Sequence, residues 1–228
     1  MKKQILITLL TFLSLNTYAQ FSINYSIGYG TYQMDDMKSF SRQITNQLTA
    51  EKGVPLKLTD NFPSYIQHSG EITYQLKQHE FGLTGSYMTA GAKIAYADYS
   101  GNYQTKIITN GFKFGPVYKY HFWETLFDEH RFSVFGELSP SFVLTDLKVK
   151  EEGVIYESPI KEKTQTKILN KKFGFSIQPM VGCRLVLFKH YLIHLKTGYD
   201  FELGSKLNPY ARIDWSGFRL QGGIGYMF

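Results

Sequence analysis

The sequence contains little cysteine and tryptophan and no long apolar segment. Its single cysteine, Cys183, excludes a scaffold held by disulfides. The longest apolar run, Ile5–Leu15, is too short for a helix that crosses a bilayer, so a bundle of membrane helices is excluded. Charged residues are also scarce, at 19%, and the basic ones form no continuous run. We therefore expect no nucleic-acid partner, although the formal net charge is +6.

Aromatic residues, in contrast, are abundant. The chain has 17 tyrosines and 18 phenylalanines among its 228 residues. Disordered chains lack such rings, so we expect an ordered protein. The length fits one domain of ordinary size.

The first twenty residues have the layout of a secretory signal peptide. Lys2 and Lys3 precede the apolar run Ile5–Leu15, and the small residue Ala19 follows it. These are the charged region, the apolar region and the cleavage position of an export signal. The alternative is a buried N-terminal helix. We predict that residues 1–19 are a signal peptide cleaved after Ala19, and that residues 20–228 form the mature domain.

Beyond residue 20 the dominant pattern has a period of two, which is the signature of β-strands. In Phe173–Leu187, for example, apolar residues alternate with Gly174, Ser176, Gln178 and Arg184. About eight such segments follow one another. We predict strands at Phe21–Tyr32, Glu71–Leu76, Phe81–Tyr87, Asn110–Phe122, Phe132–Leu144, Phe173–Leu187, Tyr191–Leu203 and Arg212–Phe228.

The predicted connections alternate in length. Short turns such as Lys77–Glu80 and Phe188–His190 alternate mostly with longer loops at Gln33–Tyr65, Thr89–Thr105 and Asp146–Lys172. Short turns at one end and long loops at the other are typical of outer-membrane β-barrels.

The two faces of the predicted strands differ in polarity. One face carries large apolar side chains, and the other carries charges of both signs among glycines and serines. An eight-stranded barrel has too little interior volume for all the rings, so we expect the rings to face lipid. The charges then form an interior polar network, for which we predict Glu137, Arg184, His194, Lys196, Asp200, Glu202 and Arg219.

These features predict an all-β fold: an eight-stranded antiparallel transmembrane up-and-down β-barrel with one short helix in the first long loop. Unpaired backbone groups are not tolerated in hydrocarbon, so the first and last strands must pair. The partner of the outer surface is then outer-membrane lipid.

The long loops supply the candidate surface residues. A helix is predicted over Asp35–Ala50, capped by Asp35 or Asp36 and stopped by Gly53 and Pro55. Its apolar stripe either packs on the barrel rim, which we favour, or forms a lid or partner-binding face. The segment Tyr96–Gly101 is either a hairpin tip, which we favour, or a sugar-binding loop. The candidate surface residues are Phe40, Ile44, Leu48, Tyr96, Asp98 and Tyr99.

Three features resemble the small porin-like outer-membrane β-barrel proteins of Bacteroidota. These are the Ala19–Gln20 boundary, the loop segments Asp60–Tyr65 and Tyr96–Gly101, and a C-terminal segment that ends on an aromatic residue. The resemblance implies that Ile224, Tyr226 and Phe228 form the signal read by the barrel-assembly machinery, which would be a partner. It also implies a location in the cell outer membrane, and it implies no agreed activity.

No catalytic motif is evident. His68, His121 and His194 lie in predicted strands, and His68 precedes Ser69. No catalytic triad, pair of carboxylates or set of metal ligands has the spacing that catalysis or metal binding requires. We predict no catalytic, cofactor-binding or metal site. We expect a non-enzymatic barrel that displays loops for binding, adhesion or envelope integrity, with an unidentified extracellular ligand. The alternatives are a lipid-modifying enzyme, by acyl transfer or deacylation, and a narrow porin-like channel.

Overall fold

The computed structural model describes residues 19–97, 99, 101–155, 161–204, 206–208 and 211–228. The predicted signal peptide up to residue 18, and Asp98, lie outside these residues. No helix in the described part of the chain combines the length and apolarity needed to cross a membrane. The elements are β1 (Ala19–Gly30), α1 (Asp35–Lys52), β2 (Lys57–Asn61), β3 (Tyr65–Leu76), β4 (His79–Ala97), β5 (Gly101–Phe127), β6 (His130–Ile155), β7 (Lys161–Leu187), β8 (Tyr191–Gly204), β9 (Lys206–Asn208), β10 (Ala211–Arg212) and β11 (Gly217–Met227).

Eight of these strands form a closed antiparallel ring. The order is β4-β3-β1-β11-β8-β7-β6-β5, and β5 pairs with β4 again to complete the circle. The first and last strands pair over nine positions, from Ser22 opposite Met227 to Gly30 opposite Arg219. Closure leaves no backbone edge among these eight strands for lipid to meet. The predicted eight-stranded barrel and the pairing of its terminal strands are confirmed.

The polarity of the two faces is the reverse of that of a water-soluble barrel. Phe112 and Leu195 point outward with 46% and 53% of their surface exposed, whereas Glu137 and Arg184 are buried inside. A belt of large apolar side chains therefore surrounds a polar interior, as expected of a barrel that spans a bilayer.

This polarity inverts where β4, β5 and β6 continue past the belt. Along β4 the outward residues change from Phe81 and Tyr87 to Thr89 and Lys93, while the inward ones change from Glu80 to Ile94. The extended segments, Met88–Ala97, Gly101–Gly111 and Val143–Ile155, together with β2, are called the projecting sheet below. Where its side chains are described, its outer face is mainly polar, with Ile108 as an apolar exception, and its inner face is mainly apolar. This is the arrangement expected once the outer face meets water.

The long loops predicted at Thr89–Thr105 and Asp146–Lys172 are therefore mostly strand. The prediction failed because it followed the apolar face of the belt, and that face ends at Tyr87 and Leu144. The last strand also begins later than predicted, at Gly217. The segment Ile213–Ser216 instead turns into the barrel mouth, where Ile213 and Trp215 are fully buried.

Helix α1 covers the inner face of the projecting sheet. It ends at Lys52 because Gly53 takes a left-handed conformation and donates its N–H to the Thr49 carbonyl at 3.0 Å. Its apolar contacts belong to a core that closes the mouth of the barrel, formed by Tyr32, Met34, Met37, Phe62, Met88, Ala90, Ala92, Ile107, Val143, Leu147, Ile213 and Trp215.

Two details of the predicted helix differ. Asp35 and Asp36 lie in its first turn, and Met34 occupies the N-cap without a side-chain hydrogen bond. The most buried line of the helix runs through Met37, Ser41 and Thr45, and the predicted stripe residues Phe40, Ile44 and Leu48 are half-buried beside it. The line is shifted because the Ser41 hydroxyl donates to Asn61 Oδ1 at 2.7 Å, in β2.

The inversion of polarity predicts that an introduced charge destabilises the protein more within the apolar belt than on the projecting sheet. Arginine in place of Phe114, which faces outward within the belt, should lower the free energy of unfolding by about 2–4 kcal/mol. Arginine in place of Ile108, outward on the projecting part of the same strand, should cost at most about 1 kcal/mol. Urea titration in lipid vesicles measures both values. Equal losses would place the boundary elsewhere.

Candidate functional site

The interior of the barrel carries balanced charge. Among the residues whose side chains the structure describes, the buried acidic and basic groups are five carboxylates and five lysine or arginine side chains, together with two histidines. The carboxylates are Glu71, Glu80, Glu137, Asp200 and Glu202, and the bases are Lys113, Lys119, Arg184, Lys196 and Arg219. Balance is required because an uncompensated charge is very costly to bury.

Two lysines and two glutamates form the centre of this network. Lys196 Nζ lies 3.0 Å from both carboxylate oxygens of Glu137 and also contacts Glu71. Lys119 Nζ lies 2.5 Å from Glu71 Oε2 and 3.8 Å from Glu137 Oε2. Each lysine thus bridges the same two carboxylates. These contacts join β3, β5, β6 and β8 across the lumen, so the network braces the barrel from inside.

A second cluster lies toward the short turns. The carboxylate of Glu80 accepts from Arg184 Nη1 at 2.7 Å and contacts His121 Nε2 at 2.9 Å. Arg184 also donates to Gln75 Oε1 at 2.8 Å. Beyond these groups, the inward side chains of Val186, Leu192 and Met227 form an apolar cluster at this end.

The third cluster lies beneath the mouth. Asp200 pairs with Lys113 and accepts from Arg219 Nη2 at 3.0 Å. Glu202 Oε2 accepts the backbone N–H of Trp215 at 2.6 Å. This last contact anchors the inward turn Ile213–Ser216 to the wall of the barrel.

Trp215 and Tyr32 close the mouth above this cluster. Their rings meet edge to face with centroids 5.0 Å apart, and the Trp215 Nε1–H donates to Thr145 Oγ1 at 3.0 Å. The guanidinium of Arg219 lies over the Tyr32 ring at 5.0 Å. Burial raises the pKa of Tyr32 to about 12, although Arg219 opposes the shift.

The space left inside is small. A cavity of about 10 Å³ lies between the central and upper clusters, bordered by Lys113, Glu137 and Lys196. That volume holds about one water molecule. The rings of Tyr32 and Trp215 at the mouth and the apolar cluster at the turn end enclose this cavity from its two ends.

The structure places all seven predicted interior residues in these clusters or beside them. His194, the one not yet described, contacts Ser26 Oγ through Nε2 at 2.8 Å. Glu71, Lys113 and Lys119 lie on the charged face that the sequence pattern assigned to the interior, and the structure buries all three. Sequence reasoning left Glu80 out of the network. Sequence analysis assigned Glu80 to a turn. Because β4 begins at His79, Glu80 belongs to that strand, and it lies an even number of residues from the inward Ser86, so it also points inward. Trp215 was missed because the last strand was expected to run through it.

The histidines singled out from the sequence are spread over both faces. His68 points outward and contacts Tyr25 Oη at 2.7 Å, whereas Ser69 points inward, so the two do not meet as nucleophile and base. Ser133, His121 and Glu80 do form a hydrogen-bonded chain, with Ser133 Oγ 3.2 Å from His121 Nδ1. All three side chains are at most 1% exposed, so a substrate has no access to them in this conformation.

The predicted assembly residues and surface residues lie on the outside. Ile224, Tyr226 and Phe228 face outward on β11 and at the chain end, where Phe228 N–H donates to the Phe21 carbonyl at 2.9 Å. Tyr99 is 95% exposed at the tip between β4 and β5, and Tyr96 is half-buried. In the described part of the chain, no group of three or more His, Cys, Asp or Glu side chains is arranged to hold a metal ion.

Comparison with known proteins gives distant structural neighbours. No family model matches the chain, and no curated protein matches it. Ail of Yersinia pestis, solved with the heparin analogue sucrose octasulfate, aligns over 93% of this chain and 100% of its own at 11% identity and a TM-score of 0.39. OprG of Pseudomonas aeruginosa aligns over 92% and 96% at 12% identity and a TM-score of 0.41. Likenesses this distant identify no shared family or activity.

The charge balance predicts a large penalty for removing one partner. Lys196→Met should lower the free energy of unfolding by about 3–5 kcal/mol, because Glu71 and Glu137 then lose a shared cation. Adding Glu137→Gln should recover part of this loss by removing the excess negative charge. Urea titration of the single and double variants in detergent micelles measures both effects.

The matched control is Lys148→Met on the outer face. Lys148 contacts Asp146 at 3.1 Å, but both side chains are partly exposed, so the loss should stay within about 1 kcal/mol. A loss as small for Lys196→Met would show that the interior network does not stabilise the barrel.

Proposed function

We propose that the chain is an integral outer-membrane protein, non-enzymatic, whose projecting sheet and helix α1 are displayed at the cell surface for binding or for envelope integrity. The observation that carries this proposal is the inversion of polarity along β4, β5 and β6. Below the boundary the outer face suits hydrocarbon, and above it the same face suits water. The chain thus combines a membrane anchor with a water-exposed module that has its own apolar core.

Membership of the porin-like barrel proteins of Bacteroidota is part of the same proposal. The C-terminal pattern of Ile224, Tyr226 and Phe228 supports it, since these residues lie on an outward face that an assembly factor could reach before closure. The N-terminal segment with Ala19 at its end supports export.

The non-enzymatic role is favoured over lipid modification by the burial of the candidate chemistry. Ser133, His121 and Glu80 are sealed in the lumen, and the ion pair of Glu80 with Arg184 joins this chain to the charge network. A lipid-modifying site would need its nucleophile on the outer face or at the mouth, within reach of a lipid.

Orientation in the membrane is tested by labelling single cysteines on intact cells. In a Cys183→Ser background, Tyr99→Cys marks the tip of the projecting sheet and Leu126→Cys marks the turn end, and both native side chains are well exposed. A membrane-impermeant maleimide should label Tyr99→Cys on intact cells and Leu126→Cys only after lysis. The reverse order would invert the proposed topology. Protection of both until lysis would exclude surface display.

A channel function makes a separate prediction. Because side chains fill the lumen, purified protein in planar bilayers should give no steady conductance. Replacement of Trp215 and Arg219 by alanine, which opens the mouth above Asp200, should raise the frequency of conductance events relative to the unmodified protein. Steady currents from the unmodified barrel would favour the narrow-channel alternative.

A further inference from the structure

A groove crosses the outer face of the apolar belt, on the side of the barrel where the first and last strands meet. It has a volume of about 590 Å³ and runs over β6, β7, β8, β11 and β1. One of its sides follows a single row of outward residues, each opposite the next in the strand pairings: Phe132, Leu185, Ile193, Ile224 and Tyr25. The groove faces lipid, whereas the charge network faces the lumen.

The other side of the groove is low because it carries small residues. In the next row of outward positions Cys183 lies opposite Leu195, and Leu195 lies opposite Gly222. Gly222 in turn lies opposite Ile27, so the row has a gap between the side chains of Leu195 and Ile27. Two of the four residues on this side are thus too small to fill the belt.

The packing of the barrel does not require a glycine at position 222. A Cβ there would lie 3.8 Å from Leu195 Cδ1 and 4.0 Å from the His194 carbonyl oxygen, which are ordinary van der Waals distances. At the inward Gly223, in contrast, a Cβ would lie 2.5 Å from the Tyr25 carbonyl oxygen, so a glycine is needed there. Gly222 therefore keeps open a space that a side chain could fill.

The dimensions of the groove match one acyl chain. At the spacing of neighbouring strands, the four pairings from Phe132 to Tyr25 span about 19 Å. Strands of such barrels tilt by about 40°, so this diagonal rises by about 12 Å through the bilayer. Half of a hydrocarbon core that is about 30 Å thick measures about 15 Å, so the groove has the depth of one leaflet.

The two ends of the groove differ. The lower end reaches the short turns, since Phe132 is two residues from the start of β6 and Leu185 is two residues from the end of β7. The upper end stops at the ring of Tyr25, whose Oη contacts His68 Nδ1 at 2.7 Å. An acyl chain can therefore enter from the headgroup region at the short turns, and it ends within the belt.

Charged side chains of both signs border the lower end. The turn between β5 and β6 carries Asp128 and Glu129, the turn between β7 and β8 carries Lys189, and all three are exposed. The two turns are neighbours, because the Phe188 N–H donates to His130 Nδ1 at 3.4 Å. A zwitterionic headgroup is complementary to this arrangement, with its phosphate toward the lysine and its ammonium group toward the carboxylates.

We propose that this groove holds one phospholipid molecule of the leaflet at the short turns, with an acyl chain along the row from Phe132 to Tyr25 and a zwitterionic headgroup at the turns. In the orientation proposed above this is the inner leaflet, and only that assignment rests on the proposed function. The bound chain completes the belt at Gly222 and Cys183. It also covers the pairing of β1 with β11, so it adds apolar contacts at the place where the barrel closes.

Binding is tested by native mass spectrometry of the full mature barrel, released from dodecyl maltoside micelles and titrated with dipalmitoylphosphatidylethanolamine. The unmodified barrel should retain one lipid. In Gly222→Leu the dissociation constant should rise about tenfold or more, because the new side chain fills the groove and the acyl chain loses apolar contacts. Gly136→Leu is the matched control. Gly136 also faces outward, a Cβ there would meet nothing within 4 Å, and the groove does not include it, so binding should change by less than about twofold.

The thiol of Cys183 gives a second measurement at the same site, because it lines the groove. Saturating lipid should slow the alkylation of Cys183 by N-ethylmaleimide about fivefold, since reaction requires access to the thiol. Gly222→Leu should abolish this slowing, expressed as the ratio of the rates with and without lipid.

Equal weakening by Gly136→Leu, or unchanged binding by Gly222→Leu, would overturn the site. A dimer in place of the lipid adduct would also overturn it, since the face would then contact a second copy. Equal retention of dipalmitoylphosphatidylglycerol would overturn the assignment of the headgroup. A heat-dependent shift of each variant on a detergent gel verifies that the barrel is folded. The micelle assay does not depend on orientation, so its failure is distinct from a failure of the cysteine labelling, which tests the proposed function alone.

Discussion

The pairing of opposite charges inside the lumen is the interaction on which the rest of the structure depends. An eight-stranded barrel with its apolar side chains turned to lipid must fill its centre with polar groups. Five carboxylates and five bases achieve this without net charge, and Lys119 and Lys196 each join two glutamates. Because these contacts link strands on opposite sides of the barrel, they resist its deformation and fill the space that a solute would need.

The second constraint is the change of solvent along single strands. Within the belt the strands contact hydrocarbon outside and ions inside, and beyond it they contact water outside and helix α1 inside. Met88, Ile107 and Leu147 therefore belong to an apolar core, although they continue the inward positions that carry Glu80 and Lys119 lower down. One chain thereby forms two packing environments, a polar lumen within the belt and an apolar core beyond it.

The same boundary explains which roles the molecule is suited for. A lumen blocked by Trp215 and by the ion clusters disfavours transport, and a buried Ser133–His121–Glu80 chain disfavours catalysis on lipid. What remains accessible is the outer surface of the projecting sheet and its tip at Tyr99. The proposed role, binding at the cell surface, uses these parts.

The sequence by itself determined the barrel. Alternation with a period of two identifies the strands and their two faces, and the small volume of an eight-stranded lumen decides which face points inward. It also predicted that Glu137, Arg184 and Asp200 point inward, because each alternates with the outward apolar residues of its strand. It did not determine the length of β4 to β7 or the turn of Ile213–Ser216 into the mouth. Those depend on what each strand end packs against. An apolar residue faces outward below the boundary and inward above it, and only the position of helix α1 in the folded chain decides where that change occurs.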